Sequence, residues 1–207
     1  MKKRTLSLII SGNQTNQCYY LGMRAAGFVL VGGLSSRMGR DKARLPLDSH
    51  LLVEDVAGKV AKIAGNVTLI GDPTKYSDLD LKCVPDLHPG MGPLAGIEAA
   101  LATSKAELNL IVACDLPGLA SEWLEELLLA AEQCSSLCCV AEDASGILHP
   151  LCAVYRRACL PLIQKSLAVG RLKVLDLVDA LNGLAVKIPA PLHNVNTPED
   201  WRLWRAV

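Results

Sequence analysis

Residues 26–33 have the sequence Ala-Gly-Phe-Val-Leu-Val-Gly-Gly, an apolar run that ends in two glycines. A short apolar segment stopped by glycine is typical of a strand that is buried on both faces of a parallel sheet. Residues 34–42, Leu-Ser-Ser-Arg-Met-Gly-Arg-Asp-Lys, follow it directly and are mostly polar. Because open α/β sheets bind ligands at the carboxyl ends of their strands, this junction is predicted to be part of a functional site.

Strand-like and helix-like segments alternate along the rest of the chain. Strands are predicted at residues 67–70, 81–84, 108–114, 137–141, 152–155 and 185–188. Apolar residues at helical spacing predict helices at residues 52–63, 96–101, 121–131, 158–167, 174–181 and 201–204. Ser121 is predicted to be the N-cap of the third of these helices.

This alternation predicts an α/β protein with a Rossmann-like, doubly wound, mostly parallel sheet and helices on both faces. Hydrophobic residues make up 51% of the chain, which is enough for a substantial core and argues against disorder. We expect residues 23–207 to form a single domain and residues 1–22 to be a loose N-terminal extension.

Charge, hydropathy and cysteine positions exclude several classes of protein. The 21 Lys and Arg are balanced by 21 Asp and Glu, so the chain lacks the basic excess of a general nucleic-acid binder. No uncharged apolar stretch approaches the roughly 18 residues of a membrane span. The eight cysteines include no C-x-x-C pair and several lie in apolar runs, which favours buried, reduced thiols in a cytoplasmic protein over disulfides or a zinc site.

The junction after the first strand has the residue types of an anion site. Gly32 and Gly33 allow backbone N–H groups to approach an anion closely, while Arg37 and Lys42 supply positive charge. The spacing matches neither G-x-G-x-x-G nor G-x-x-x-x-G-K-[ST], which disfavours a dinucleotide oxidoreductase or a P-loop enzyme. The alternative is a glycine-rich turn with solvated basic residues.

Two carboxylates follow later strands in the same manner. Asp115 comes directly after the apolar segment 108–114, and Asp86 comes after 81–84. Mg²⁺ is typically held by one or two protein carboxylates together with water and phosphate oxygens, so the pair favours a magnesium site. Asp115 could instead cap a proline-containing turn. The Gly- and Pro-rich residues 86–96 lead into a helix and could pack against a flat purine base, or be an ordinary loop.

Five segments together resemble the molybdenum cofactor guanylyltransferase (MobA) family of the nucleotidyltransferase superfamily. They are Leu-Val-Gly-Gly-Leu-Ser-Ser-Arg-Met-Gly-Arg-Asp-Lys at 30–42, Gly-Pro-Leu-Ala-Gly at 92–96, Cys-Asp-Leu-Pro at 114–117, His-Pro-Leu at 149–151 and Asn-Val-Asn-Thr-Pro-Glu-Asp at 194–200. The resemblance runs from about residue 25 to the C-terminus. It implies a fold like that of nucleotide-diphospho-sugar transferases, Mg²⁺ as cofactor, and transfer of GMP from GTP to molybdenum-loaded molybdopterin with release of pyrophosphate.

The resemblance also implies site residues by position. GTP binding is expected at Leu30, Val31, Gly32, Gly33, Lys42, Asp86 and Asp115. Catalytic roles are expected for Lys42, Asp115 and Arg37, with Asp115 as the metal ligand, and Asn194 and Asn196 are expected on the molybdopterin side. Transient contact with molybdoenzymes or their chaperones is a further implication, whereas nucleic-acid and membrane partners are not expected.

Two positions depart from the family pattern, and other functions stay open. Ile70 stands where some members have an asparagine that contacts the nucleotide, and Val31 replaces the usual alanine. The alternatives are a cytidylyltransferase that makes the cytosine dinucleotide cofactor, a sugar-phosphate nucleotidyltransferase, and a non-catalytic nucleotide-binding module. The glycine pair and the Gly-Pro-Leu-Ala-Gly segment resemble the guanine-specific branch.

Overall fold

The computed structural model describes residues 25–32, 39 and 41–206. The strands are β1 (Ala25–Leu30), β2 (Pro46–Leu47), β3 (His50–Leu51), β4 (Thr68–Ile70), β5 (Cys83–Val84), β6 (Leu108–Ala113), β7 (Cys138–Glu142), β8 (Leu148–Arg156) and β9 (Leu184–Lys187). The α-helices are α1 (Leu52–Ala64), α2 (Pro93–Thr103), α3 (Ser121–Gln133), α4 (Leu160–Ala168), α5 (Val174–Ala180) and α6 (Pro198–Arg205). Short 3₁₀ turns cover Lys42–Arg44, Pro73–Tyr76 and Arg157–Cys159.

Seven of the described strands form one sheet in the order β5-β4-β1-β6-β8-β7-β9. The first four strands in this order are parallel to one another, and β7 is parallel to β9. β8 is antiparallel to both β6 and β7. Only residues 143–147 separate β7 from β8, which is far too short for the crossover that a parallel pair requires. With four parallel and two antiparallel pairs of neighbours, the sheet is mostly parallel, as predicted from the sequence.

Helices cover both faces of the sheet, as predicted. Along β1, Val29 packs into the cluster that includes α1 and α3, while the preceding Phe28 packs into the cluster of α2, α4 and α5. The same alternation holds along β6, because successive strand residues point to opposite faces. Trp201 of α6 joins the first cluster. None of the described helices is both long enough and apolar enough to cross a membrane.

Some local predictions were wrong. Ser121 is the first residue of α3 and not its N-cap. Ala120 has the extended backbone of the cap position, and no side chain among the described residues caps this helix. The β2–β3 hairpin was missed because two-residue strands are too short to show an alternating pattern. Its turn contains Asp48, which has a positive φ of 51°. β8 begins at Leu148, four residues before the segment predicted from the sequence.

A buried carboxylate organises the turn between β7 and β8. Asp143 Oδ1 accepts hydrogen bonds from the backbone N–H groups of Ser145 (2.9 Å) and Ile147 (3.0 Å). Its Oδ2 is 2.9 Å from His149 Nε2 and 3.4 Å from the backbone nitrogen of Leu192. Burial opposes ionisation of Asp143, but these hydrogen bonds outweigh it and lower its pKa to about 2. The turn, β8 and the segment before α6 are thus joined at one side chain.

Replacing Asp143 with asparagine is expected to lower the free energy of unfolding at neutral pH by about 2 kcal/mol, because hydrogen bonds to a charged acceptor are lost. Since the folded-state pKa lies below the ordinary value of 3.8, this stabilisation is fully present above pH 3.8 and disappears as the pH falls through about 2. Urea unfolding of both proteins across this range would measure the difference. If the difference in free energy of unfolding between the two proteins stayed constant down to pH 2, the stabilising role of the Asp143 charge would be wrong.

Candidate active site

The ends of β1 and β6 lie side by side at the carboxyl edge of the sheet. The two strands are parallel neighbours with Leu30 opposite Ala113, and the backbone nitrogen of Cys114 donates to the carbonyl of Leu30 at 3.2 Å. The chain therefore leaves β1 through Gly32 next to the point where it leaves β6 through Asp115. The sequence predicted both of these positions at the same edge.

Four of the predicted site residues form one polar cluster here. Lys42 Nζ donates to Asn196 Oδ1 at 2.7 Å and lies 3.8 Å from Asp115 Oδ2. Asn194 Nδ2 donates to the other oxygen of Asp115, Oδ1, at 3.1 Å. A backbone hydrogen bond of 2.9 Å from Val195 to the carbonyl of Asp115 fixes the segment between the two asparagines against the end of β6. We call Lys42, Asp115, Asn194 and Asn196 the Lys42–Asp115 cluster.

The start of α6 positions Asn196 within this cluster. Asp200 Oδ2 accepts the backbone N–H groups of Asn196 (2.9 Å) and Thr197 (2.8 Å), while Thr197 Oγ1 accepts from the backbone nitrogen of Asp200 (3.1 Å). This is a capping box, which the residue types at 197 and 200 provide. The hydrogen bonds, led by that of Asn196, lower the pKa of Asp200. The helix terminus thus holds Asn196, whose side-chain oxygen accepts the hydrogen bond from the Lys42 ammonium.

The Lys42–Asp115 cluster is partly removed from water. The side chains of Lys42 and Asp115 are 19% and 18% exposed. Burial raises the pKa of Asp115, and the Lys42 charge and the Asn194 hydrogen bond offset only part of this effect. The ionised carboxylate is therefore incompletely compensated in this structure, and a further cation beside it would be stabilised.

The donor set of the cluster fits a Mg²⁺ ion. Mg²⁺ usually takes one or two protein carboxylates and completes its shell with water and phosphate oxygens, and Asp115 supplies such a carboxylate next to two amide side chains. Within residues 25–32 and 41–206, no group of three or more His, Cys, Asp and Glu residues could hold a metal ion.

A shared magnesium site would require Asp86 and Asp115 to lie close together, and the structure does not bring them together. β5, which precedes Asp86, is separated from β6 by β4 and β1, so the two strand ends are about 14 Å apart. The Asp86 carboxylate accepts a hydrogen bond from the backbone nitrogen of His88 at 2.9 Å and forms a turn. The two carboxylates follow strands in the same manner, but sequence alone did not give the order of those strands in the sheet.

The structure describes three other predicted GTP-binding positions and a further position that departs from the family pattern. Leu30, Val31 and Gly32 lie at the end of β1, at the junction described above. Ile70, which replaces the family's asparagine, is buried in the core at the end of β4. Gly33 and Arg37 lie outside the described residues.

Gly71 maintains a close approach of two backbones beside Val31. Val31 donates to the carbonyl of Ile70 at 2.9 Å, and a Cβ atom on Gly71 would lie only 2.0 Å from the Val31 carbonyl oxygen. Any side chain at position 71 would therefore displace the backbone at the end of β1. The family resemblance implies that this backbone contacts the nucleotide.

Replacing Gly71 with alanine is expected to lower the free energy of unfolding by about 3 kcal/mol, because the backbone must move to relieve the clash. Nucleotide binding should weaken as well. The matched control is Gly58→Ala in α1, where a Cβ would meet nothing within 4 Å and helix propensity should raise stability slightly. Denaturant unfolding of both variants tests this, and equal stabilities would contradict the close approach.

Residues 27–181 match the family model of the MobA-like NTP transferase domain. The probable molybdenum cofactor guanylyltransferase of Carboxydothermus hydrogenoformans is 34% identical over 182 residues, covering 84% of this chain and 91% of the relative. The protein of the same name from Flavobacterium johnsoniae is 31% identical over 176 residues, covering 85% of this chain and 88% of the relative.

Solved structures share the fold. Molybdopterin-guanine dinucleotide biosynthesis protein A from Archaeoglobus fulgidus superposes with a TM-score of 0.72 at 24% identity, covering 86% of this chain and 95% of that one. The CMP:2-keto-3-deoxy-manno-octonic acid synthetase complexed with CTP has a TM-score of 0.72 at 16% identity, covering 88% and 97%. The fold is thus that of nucleotide-diphospho-sugar transferases. The family match and the relatives above 30% identity show that this chain belongs to the MobA-like NTP transferase family and is a nucleotidyltransferase.

Proposed function

We propose that the protein transfers GMP from GTP to molybdenum-loaded molybdopterin in the cytoplasm, forming the guanine dinucleotide cofactor and releasing pyrophosphate. The observation that carries the proposal is the Lys42–Asp115 cluster, which lies at the adjoining ends of β1 and β6 in a chain of this family. The names of the relatives support guanine as the base. Residues 23–207 would form the catalytic domain, and the N-terminal extension expected at residues 1–22 lies outside the described residues.

The proposed reaction needs no nucleophile from the protein. A phosphate oxygen of molybdopterin forms a bond to the α-phosphorus of GTP, and the bond from that phosphorus to the bridging oxygen breaks, so that pyrophosphate leaves with the electron pair. The protein must hold the two substrates in line and neutralise the charge of the phosphates. A partly buried cluster strengthens such charge interactions because less water screens them.

Each residue of the site has a role in this reaction. Lys42 would bind phosphate oxygens, for which its ammonium must exchange Asn196 for the substrate. Asp115 would hold Mg²⁺, whose chemistry is neutralisation and orientation of phosphate oxygens. The remaining roles follow the family pattern: backbone contacts to the nucleotide from Leu30, Val31, Gly32 and Gly33, a catalytic role for Arg37, and nucleotide binding by Asp86.

Asn194 and Asn196 would serve both substrates. Their family role lies on the molybdopterin side, and in this structure they contact the side chains proposed to bind Mg²⁺ and the GTP phosphates. An attacking phosphate that approaches along the segment 194–196 would therefore arrive next to the phosphates bound by Lys42. Delivery of the product would involve transient contact with molybdoenzymes or their chaperones.

The proposal is tested by calorimetric titration of GTP, CTP and ATP into the protein in the presence of Mg²⁺, followed by an assay for pyrophosphate when molybdopterin is added. Saturable binding of GTP, with weak binding of CTP and ATP and release of pyrophosphate, would support it. Preference for CTP would identify a cytidylyltransferase. GTP binding that is independent of Mg²⁺, without release of pyrophosphate, would identify a non-catalytic nucleotide-binding module.

A further inference from the structure

We propose that Tyr76 is a positioning residue for the phosphate-binding Lys42 and acts through Asp41. The inference deepens the proposed function and depends on the phosphate role given to Lys42. Tyr76 ends the 3₁₀ turn that follows β4 and is 35 positions from Asp41 in the sequence.

Asp41 is linked to the turn that carries Lys42. Lys42 is the first residue of a 3₁₀ turn whose N-cap is Asp41, and Asp41 Oδ1 accepts the backbone N–H of Ala43 at 3.0 Å. The turn is closed by hydrogen bonds from Arg44 to the carbonyl of Asp41 (3.2 Å) and from Leu45 to the carbonyl of Lys42 (3.0 Å). The direction in which Lys42 leaves the backbone therefore depends on the Asp41 carboxylate.

Tyr76 is in turn linked to the Asp41 carboxylate. The Tyr76 hydroxyl donates to Asp41 Oδ2 at 2.7 Å, so both oxygens of this carboxylate are engaged. Tyr76 is only 2% exposed, so its packed ring holds the hydroxyl in one place. Burial, followed by the hydrogen bond to Asp41, raises the pKa of Tyr76, and the hydroxyl remains a proton donor. Without it, Asp41 Oδ2 would lose its partner and the carboxylate could rotate away from Ala43.

The side chain of Arg44 also joins the two turns. The Arg44 guanidinium binds both carboxylate oxygens of Asp78 and donates to the carbonyl of Lys75. It also lies over the Tyr76 ring, 5.8 Å from the ring centroid. The turn that carries Lys42 and the turn after β4 thus form one interlocked unit. Among the hydrogen bonds of the described residues, the one from the Tyr76 hydroxyl joins the second turn to the Asp41 carboxylate.

The test is Tyr76→Phe in the complete protein, with GTP and guanosine titrated separately in the presence of Mg²⁺. The variant keeps the ring that packs under Arg44 and removes only the hydroxyl. Affinity for GTP should fall about tenfold, or about 1.4 kcal/mol, because the turn that carries Lys42 is no longer held in place and must be ordered when the phosphates bind. Affinity for guanosine, which has no phosphate for Lys42 to bind, should not change.

Tyr155→Phe is the matched control. Tyr155 is fully buried in β8, and its hydroxyl donates to the carbonyl of Pro150 at 2.8 Å. Tyr155→Phe therefore also removes one hydrogen-bonded tyrosine hydroxyl, but at another place in the core. This variant should lose stability but keep the ratio of GTP affinity to guanosine affinity. In a Lys42→Ala background, Tyr76→Phe should cause no further loss of GTP affinity.

A merely structural role predicts a different pattern. Equal losses for GTP and guanosine, losses that add in the double variant, or unchanged GTP affinity would each overturn the positioning role. If the wild-type protein bound GTP no more tightly than guanosine, the phosphate role of Lys42 would itself be wrong. That outcome would overturn the proposed function along with the inference, so the two failures can be told apart.

Discussion

Asp115→Asn is expected to reduce turnover by about 10²–10³-fold while the fold remains intact. The substitution keeps the shape of the side chain and removes the charge that is proposed to hold Mg²⁺. Because burial raises the pKa of Asp115, its ionised form is disfavoured in the folded protein. A neutral amide at this position should therefore leave the free energy of unfolding unchanged or raise it.

Initial rates and thermal unfolding of the same preparations measure both parts of this prediction. The control is Asp179→Asn on α5, an exposed position on a helix that packs against the opposite face of the sheet from α1 and α3. It should change neither rate nor stability appreciably. An Asp115→Asn protein that is folded and turns over at the wild-type rate would show that this carboxylate does not hold the metal.

Lys42→Ala is expected to lower kcat/KM for GTP by roughly 100-fold, or about 2.7 kcal/mol of transition-state stabilisation. The reason is that the phosphates lose a charge-assisted hydrogen bond inside a partly buried cluster. The loss should also raise the pKa of Asp115 further, since the Lys42 ammonium now lowers it. Steady-state kinetics and GTP titration measure the effect.

Lys59→Ala serves as the control for loss of a lysine that is already paired. Lys59 Nζ is 2.6 Å from Asp55 Oδ2, four positions away on α1, and such helix pairs contribute about 0.3–0.5 kcal/mol to stability. Its loss should leave kcat/KM unchanged. GTP affinity that was equal in the Lys42→Ala and Lys59→Ala proteins would exclude Lys42 from phosphate binding.

Local sequence patterns predicted the parts of the fold that depend on local chemistry. Strands β1 and β6 end within one residue of where they were expected, and the polar residues that follow them meet at one edge because parallel strands share that edge. The direction of β8 was not predictable from its own sequence, since an apolar run has no direction. It is set by the short turn at residues 143–147.

The same distinction holds in the site. Lys42 and Asp115 were expected from glycine-rich and strand-end patterns. Their contacts with Asn196 and Asn194 join residues 154 and 79 positions apart, and no local pattern carries that information. Tyr76 was not identified as a candidate, because a single aromatic residue in a polar loop has no distinguishing pattern. Its role depends on the arrangement of two turns in space.

The central claim is tested most directly by following the α-phosphorus of labelled GTP when the protein, Mg²⁺ and molybdenum-loaded molybdopterin are mixed. Label at the α-phosphorus is expected to enter a guanine dinucleotide product, while label at the γ-phosphorus leaves as pyrophosphate. Folded protein that binds GTP but transfers no α-label to molybdopterin would contradict the account. Transfer from CTP in preference to GTP would contradict the proposed base specificity.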